Sequence, residues 1–73
     1  MNMNQFDERV RCARLTKTQR RIAEYISENY SSICFSKASD IAAQTHSSPS
    51  SVVNLARVLN YDSFEDLKLK IRD

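Results

Sequence analysis

The sequence contains no glycine, one proline and two cysteines. Without glycine, a turn that needs a left-handed backbone must use another residue that tolerates this region, such as asparagine or histidine. Cys12 and Cys34 have no CxxC partner and no histidine at metal-ligand spacing. We therefore expect two free thiols in a reducing compartment, and neither a disulfide nor a zinc site.

Long apolar runs and an N-terminal secretion signal are also missing. No apolar run approaches the length of a membrane span, and residues 1–6 lack the apolar h-region of a signal peptide. The 73 residues leave room for one small core, which would bury roughly 60% of the unfolded surface. We expect a single cytoplasmic domain over residues 1–73, with no membrane partner.

Acidic residues are absent between Arg9 and Arg21, although the net charge of the chain is only +2. A one-sided basic segment is the expected footprint of a polyanion partner. A solvated surface on two consecutive helices is the alternative, and charge alone leaves nucleic acid, an acidic membrane and plain solubility open. The basic residues of this segment are Arg9, Arg11, Arg14, Lys17, Arg20 and Arg21.

Apolar spacing predicts five helices and no strand, with the first two in the N-terminal half. An apolar stripe at i, i+4 and i+7 indicates a first helix over residues 6–14. Thr16 and Gln19 form a capping-box signature, because the threonine can cap and the glutamine can reach back. This signature predicts a second helix from Lys17 to about Asn29.

Residues 30–35 are too few and too rich in serine at their start to predict a helix. We expect Ile33 and Phe35 to reach the core from this connecting segment. Asp62 and Glu65 form a second capping signature, which predicts the last helix from near Ser63. That helix should bury Phe64, Leu67 and Ile71, pair Asp66 with Lys70 on its outside and leave Leu69 exposed.

Residues 37–60 contain two short amphipathic helices in succession. Between them, Ser48 can cap the second helix and Pro49 can occupy its first turn, where proline loses no hydrogen bond. A short helix, a tight turn and a second short helix make the helix-turn-helix pattern. The residues at core spacing are Ala38, Ile41, Ala42 and Thr45 in the first helix, and Val52, Leu55, Ala56 and Leu59 in the second.

The opposite face of the second helix carries short polar side chains and no acid. Small hydroxyls and an amide fit against base edges, whereas a helix stabilised by its own surface usually shows long Glu/Lys pairs. A solvated, serine-rich face explains the segment alone equally well. The outward residues are Ser50, Ser51, Asn54, Arg57 and Val58.

From Leu15 onward, five short motifs follow one another in an order that is specific as a set: LT, RRIAEYI, DIA, VVNLARVLNY and FEDLK. With these residues the chain resembles the N-terminal domain of the RpiR-type bacterial transcriptional regulators. The resemblance implies an all-α domain with a homeodomain-like three-helix core plus flanking helices. It also implies that the helix from Pro49 to Asn60 enters the major groove of a double-stranded DNA operator.

On this interpretation, two groups of residues contact DNA. Ser50, Ser51 and Asn54 are predicted to read base edges, while the backbone anchors are predicted to be Lys37, Ser48 and Arg57. In the family, a sugar-phosphate-binding SIS domain normally follows and supports dimerisation. Because that domain is absent here, we expect a homodimer and a sugar-phosphate effector only in a full-length regulator of sugar or amino-sugar metabolism.

Four positions depart from the family pattern. His46 stands in place of a turn glycine and can keep the left-handed turn, whereas Ser47 replaces an apolar residue and loses a small core contact. Lys37 stands where a Ser or Thr cap is common, which leaves Ser36 as the expected cap. Asn54 replaces a frequent arginine, which leaves the operator sequence open but not DNA binding as such.

Two other classes of function compete with DNA binding. A small helical protein-interaction module, in which the serine-rich helix meets another protein, is the alternative. An enzyme is the third, but the single histidine lies in a turn and the carboxylates are scattered over outer helix faces. We therefore predict no catalytic, cofactor-binding or metal-binding residue.

Overall fold

In the computed structural model, which describes residues 5–72, six helices follow one another and no strand forms within that range. The five predicted helices are all present, and the all-α class is confirmed. The additional element is the four-residue helix α3. The helices are α1 (Gln5–Cys12), α2 (Lys17–Glu28), α3 (Tyr30–Ile33), α4 (Ala38–Gln44), α5 (Pro49–Val58) and α6 (Phe64–Arg72).

Helices α2, α4 and α5 form the three-helix core, in which α5 packs against both of the others. Ala42 of α4 and Ala56 of α5 are both buried, and small side chains on packed helices allow a close approach. Helix α1 packs against α2, and helix α6 packs against α5. The buried apolar residues are Phe6, Ile22, Ala23, Ile26, Ile33, Ile41, Ala42, Val52, Leu55, Ala56, Leu59, Tyr61, Phe64 and Leu67.

The N-terminal ends of α2 and α5 are capped as the sequence predicts. The Gln19 backbone N–H donates to the Thr16 hydroxyl at 3.1 Å, and the Thr16 N–H donates to the Gln19 side-chain oxygen at 3.0 Å. At α5, Ser48 accepts from the Ser51 N–H at 3.3 Å, with Pro49 in the first turn. Both caps satisfy backbone donors that have no partner within the helix.

The predicted cap of α4 was wrong. Lys37, and not Ser36, occupies the cap position, where its backbone N–H donates to Asp40 Oδ2 at 3.0 Å. A lysine side chain has no acceptor, so only this half of a capping box forms. The Ser36 hydroxyl instead donates to the Ser32 carbonyl at 3.2 Å and belongs to the preceding turn.

The capping signature of α6 lies one residue later than predicted. Ser63 caps the helix by accepting from the Asp66 N–H at 3.0 Å, and Asp66 Oδ2 accepts from the Asp62 N–H at 3.1 Å. Asp66 also pairs with Lys70 at 3.4 Å, which confirms the predicted pair. Leu69 lies on the outside of α6 and is 57% exposed, as expected.

The segment at residues 30–35 is more helical than its composition indicates, and one core prediction there was wrong. Ile33 is fully buried, as expected, but Phe35 is 86% exposed. Hydrogen bonds from Phe35 to Ser32 and from Ser36 to Ile33 continue the turn beyond α3. Two residues in a helical turn are separated by about 200°, so Phe35 points away from the core that Ile33 enters.

Helices α4 and α5 end in the same backbone motif, without glycine. The Ser47 N–H donates to the Ala42 carbonyl at 2.9 Å, and the Tyr61 N–H donates to the Ala56 carbonyl at 3.0 Å. Within these two turns, His46 has a positive φ angle of 55° and Asn60 has one of 70°. These are Schellman turns, and they confirm the prediction that histidine and asparagine replace glycine. Helix α5 therefore ends at Val58, two residues before the predicted end.

Each of these two helix ends is held by an arginine from the basic segment. Arg21 Nε donates to the Thr45 carbonyl at 2.8 Å, at the end of α4. Arg9 Nη1 donates to the carbonyls of Leu59 at 2.9 Å and Asn60 at 3.0 Å, at the end of α5. The Arg9 guanidinium also lies 4.3 Å from the centroid of the Tyr61 ring. A cation at a helix C-terminus is stabilising because it faces the negative end of the helix dipole.

We predict that Arg9→Gln lowers the free energy of unfolding by about 1 to 3 kcal/mol, because it removes charge-assisted hydrogen bonds to two carbonyls. Urea denaturation of the purified chain measures this difference. Arg14→Gln is the matched control, since it removes the same charge from an exposed residue of the same segment. Equal losses of unfolding free energy in the two variants would show that Arg9 stabilises the fold only through its positive charge and not through these hydrogen bonds.

Candidate nucleic-acid interface

The outer face of α5 presents Ser50, Asn54 and Arg57 to solvent, and all three are exposed. At about 100° per residue, their side chains fall within an arc of about 60° on the helix. Ser50 and Arg57 are separated by about 10 Å along the axis, which corresponds to roughly three base-pair steps. These side chains are therefore spaced to face successive bases in one groove.

The inner face of α5 is fully enclosed, which fixes the direction of the outer face. Val52, Leu55, Ala56 and Leu59 are each at most 1% exposed. Any rotation of α5 about its axis would expose these side chains, at a cost of roughly 1.5 to 3 kcal/mol for each of the larger ones. The polar face is thus held outward by the core, and not by contacts of its own.

Ser51 and Ser48 lie at the start of α5 and share a hydrogen bond. Their hydroxyl oxygens are 3.1 Å apart, and either one can be the donor. Ser51 is half-buried, whereas Ser48 is exposed and already accepts from the Ser51 N–H. Both residues therefore contribute to the cap of α5 while bordering its outer face.

Lys37 is exposed at the first residue before α4, at the opposite end of that helix from the turn. Its position is fixed by the bond from its backbone N–H to Asp40 Oδ2. Helix α4 has seven residues, so Lys37 lies about 10 Å from the turn along the axis of α4. In helix-turn-helix proteins, the first helix of the pair crosses the DNA backbone, and Lys37 occupies its leading end.

The basic segment divides into two groups that the sequence did not separate. Arg9 and Arg21 are bound to helix-end carbonyls that lie 50 and 24 residues away along the chain. The side chains of Arg14, Lys17 and Arg20 form no ion pair or hydrogen bond with others of residues 5–72, whereas Arg11 makes an interaction of its own and belongs to neither group. Spacing within the segment cannot reveal these long-range bonds. The sequence offered one signal for these bonds: carbonyl groups at two helix ends without glycine need extra hydrogen-bond partners.

Burial raises the pKa of two tyrosines near the flanking helices. The pKa of Tyr61 rises because of desolvation, and the charge of Arg9 opposes this rise. Desolvation also raises the pKa of Tyr30, with a further contribution from Asp7. Both phenols therefore remain neutral near pH 7. Tyr61, which follows the end of α5, therefore adds no negative charge there.

Metal-ligand clusters and membrane-spanning helices are features of other kinds of site. Among residues 5–72, no group of three or more histidine, cysteine, aspartate or glutamate side chains lies close enough to hold a metal ion. Within the same range, no helix has both the length and the apolar character needed to cross a membrane.

The pattern described as "Helix-turn-helix domain, rpiR family" matches residues 6–73. Among curated proteins, none matches this sequence. The matched region includes all six helices, and α4 and α5 form the helix-turn-helix within it. Since the match covers nearly the whole sequence, the chain belongs to the rpiR family of helix-turn-helix domains, which are non-enzymatic domains of transcription regulators that bind double-stranded DNA.

Proposed function

We propose that this chain is the sequence-specific DNA-binding domain of a bacterial transcription regulator, with α5 lying in the major groove of its operator. The observation that carries the proposal is the outer face of α5, which is free of acid, is polar apart from the 42% exposed Val58, and is held outward by a buried inner face. A helix with its side chains is about 10 to 12 Å wide and fits the major groove, which is about 12 Å wide.

Base readout is assigned to Ser50, Ser51 and Asn54. An asparagine amide can pair in bidentate fashion with adenine, and serine hydroxyls can bond to several base edges. Asn54 is exposed in the middle of α5, where it has the clearest access to a base pair. Ser51 is half-buried and its hydroxyl is bonded to that of Ser48. In the proposed complex this hydroxyl would contact a base while it keeps the bond to Ser48.

Backbone anchoring is assigned to Lys37, Ser48 and Arg57. Lys37 and Arg57 carry positive charges that can displace counterions from phosphates, whereas Ser48 can add a neutral hydrogen bond. These residues lie at the start of α4, the start of α5 and the last turn of α5. Together they would fix the position of α5 along the groove without contributing to the choice of sequence.

The biological setting of the proposal follows from the family resemblance. The regulator would act in the cytoplasm, on genes of sugar or amino-sugar metabolism. It would bind as a homodimer to two half-sites whose centres are about 10 bp or a multiple apart, which matches one turn of DNA. A sugar-phosphate effector would require a domain outside these 73 residues, because a metabolite must contact two states differently to shift their balance.

A protein-interaction module is the second candidate function. Phe35 and Leu69 favour it, because they are the two most exposed large apolar side chains among residues 5–72. Neither lies on α5, so a protein partner at these residues would leave the polar face of α5 unexplained. Steep weakening of duplex binding with increasing salt distinguishes DNA binding from this alternative.

We predict that Asn54→Ala reduces binding to the preferred operator by about 1 to 3 kcal/mol and has little effect on scrambled DNA. The operator is first obtained by selection from random duplexes. Fluorescence anisotropy titrations of operator and scrambled duplexes then measure the two affinities.

Arg57→Ala is the matched variant, one turn further along the same face. Its loss should weaken both duplexes alike and lower the salt slope by roughly one counterion. If Asn54→Ala also weakens both duplexes equally, then Asn54 does not read bases.

We also predict that the 73-residue chain is mainly monomeric in the absence of DNA. Its large exposed apolar side chains among residues 5–72 are Phe35, Val58 and Leu69, and they offer much less than the roughly 800 Å² per partner of a stable interface. Analytical ultracentrifugation at micromolar concentration measures the mass. A tight dimer would contradict the prediction and point to an interface that includes one of these residues.

A further inference from the structure

We infer that the first turns of α2 form a second phosphate-binding surface, at which Lys17 and Arg20 contact the DNA backbone beside the start of α5. This inference rests on the proposed function, because it extends the same interface to another helix. It adds two residues to the anchors on α4 and α5, and therefore predicts a wider DNA footprint than the helix-turn-helix pair alone provides.

The position of α2 is the first argument. Arg21 Nε donates to the carbonyl of Thr45, the residue that ends α4 and leads into the turn before α5. Lys17 precedes Arg21 by one turn, about 6 Å along the axis, and lies on the same side of α2. The N-terminal end of α2 therefore borders the turn from which α5 begins, and Arg20 lies about 60° from Lys17 around the helix, on the side away from Arg21.

The distribution of charge at helix starts is the second argument. Helices α1, α4 and α6 carry acids in their first turns, as the helix dipole favours. Helix α2 has none, and neither do α5 and the four-residue helix α3. Lys17 and Arg20 thus place positive charge at the positive end of the α2 dipole. Helix stability does not explain this placement, but an external polyanion does.

The availability of both side chains is the third argument. Lys17 and Arg20 are exposed, and neither side chain forms an ion pair or hydrogen bond with another of residues 5–72. Arg9 and Arg21 are different, because their guanidinium groups bind helix-end carbonyls. Lys17 and Arg20 can therefore bind phosphate without breaking a contact of the fold.

DNA fits this surface better than an acidic membrane does. A helix that lies on a membrane inserts large apolar side chains on the face that meets the lipid. The apolar residues Ile22, Ala23 and Ile26 of α2 are buried in the core, and its outer face is charged. The surface is also next to the acid-free start of α5, which is the helix assigned to the groove.

The test compares Lys17→Gln and Arg20→Gln with Lys70→Gln, which removes the same charge from an exposed residue of α6. The probe is a mixed-sequence duplex, titrated by fluorescence anisotropy over a range of salt concentrations. Each of the first two variants should lower the salt slope by about 0.9 and reduce affinity roughly five- to tenfold near 0.1 M salt. Lys70→Gln should change neither quantity.

Thermal unfolding of the same variants separates contact from folding. Replacing either cation near the start of α2 should leave the melting temperature unchanged or raise it, because the unfavourable interaction with the dipole is removed. Weaker binding together with a lower melting temperature would indicate a structural role and overturn the inference.

Two other outcomes would also overturn it. Suppose that the unaltered chain binds the duplex and that both α2 variants bind it with the same salt slope as the unaltered chain. This inference then fails, while the proposed function stands. If both variants lose binding to phosphatidylserine vesicles but not to the duplex, the surface binds membrane instead. A chain that fails to bind any duplex would refute the proposed function itself.

Discussion

The carbonyl groups at the ends of α4 and α5 impose the constraint on which the rest of the structure depends. Both helices must stop abruptly for the chain to turn, and no glycine is present to make the left-handed residue easy. His46 and Asn60 adopt that conformation, while Arg21 and Arg9 bind the carbonyls at the two ends. If these turns open, α5 loses its defined angle to α4, and its polar face loses its direction.

This constraint divides the positive charge of the chain by role. The guanidinium groups of Arg9 and Arg21 bind carbonyl oxygens, whereas the side chains of Lys17, Arg20 and Arg57 form no ion pair or hydrogen bond with others of residues 5–72. A count of basic residues would assign all of them to a polyanion. The geometry assigns Arg21 to the end of α4 and Arg9 to the end of α5, and leaves the others for the proposed contacts with phosphate. Loss of an arginine from the first group would therefore weaken DNA binding indirectly, through the orientation of α5.

Local signals predicted most of the fold, and long-range contacts account for what was missed. The capping residues Thr16 and Ser48 and the left-handed His46 and Asn60 follow from preferences that act within a few residues. Ser36 failed as a cap because its hydroxyl binds the preceding turn. Phe35 looked like a core residue because its hydrophobicity is visible in sequence, whereas the turn that directs it outward is not. The outer face of α5 was predictable from helical periodicity, but the partners of Arg9 and Arg21 were not, since they are brought near only by folding.

The most direct test of this account is a nuclear magnetic resonance titration of the isotope-labelled chain with a duplex selected from random sequence. Amide shifts should concentrate in α5, in the turn before it, at Lys37 and in the first turns of α2. Phe35 and Leu69, on the α3 and α6 side, should be unaffected. Shifts centred on Phe35 and Leu69, with α5 unchanged, would contradict the account and show that the chain meets its partner through these exposed apolar residues.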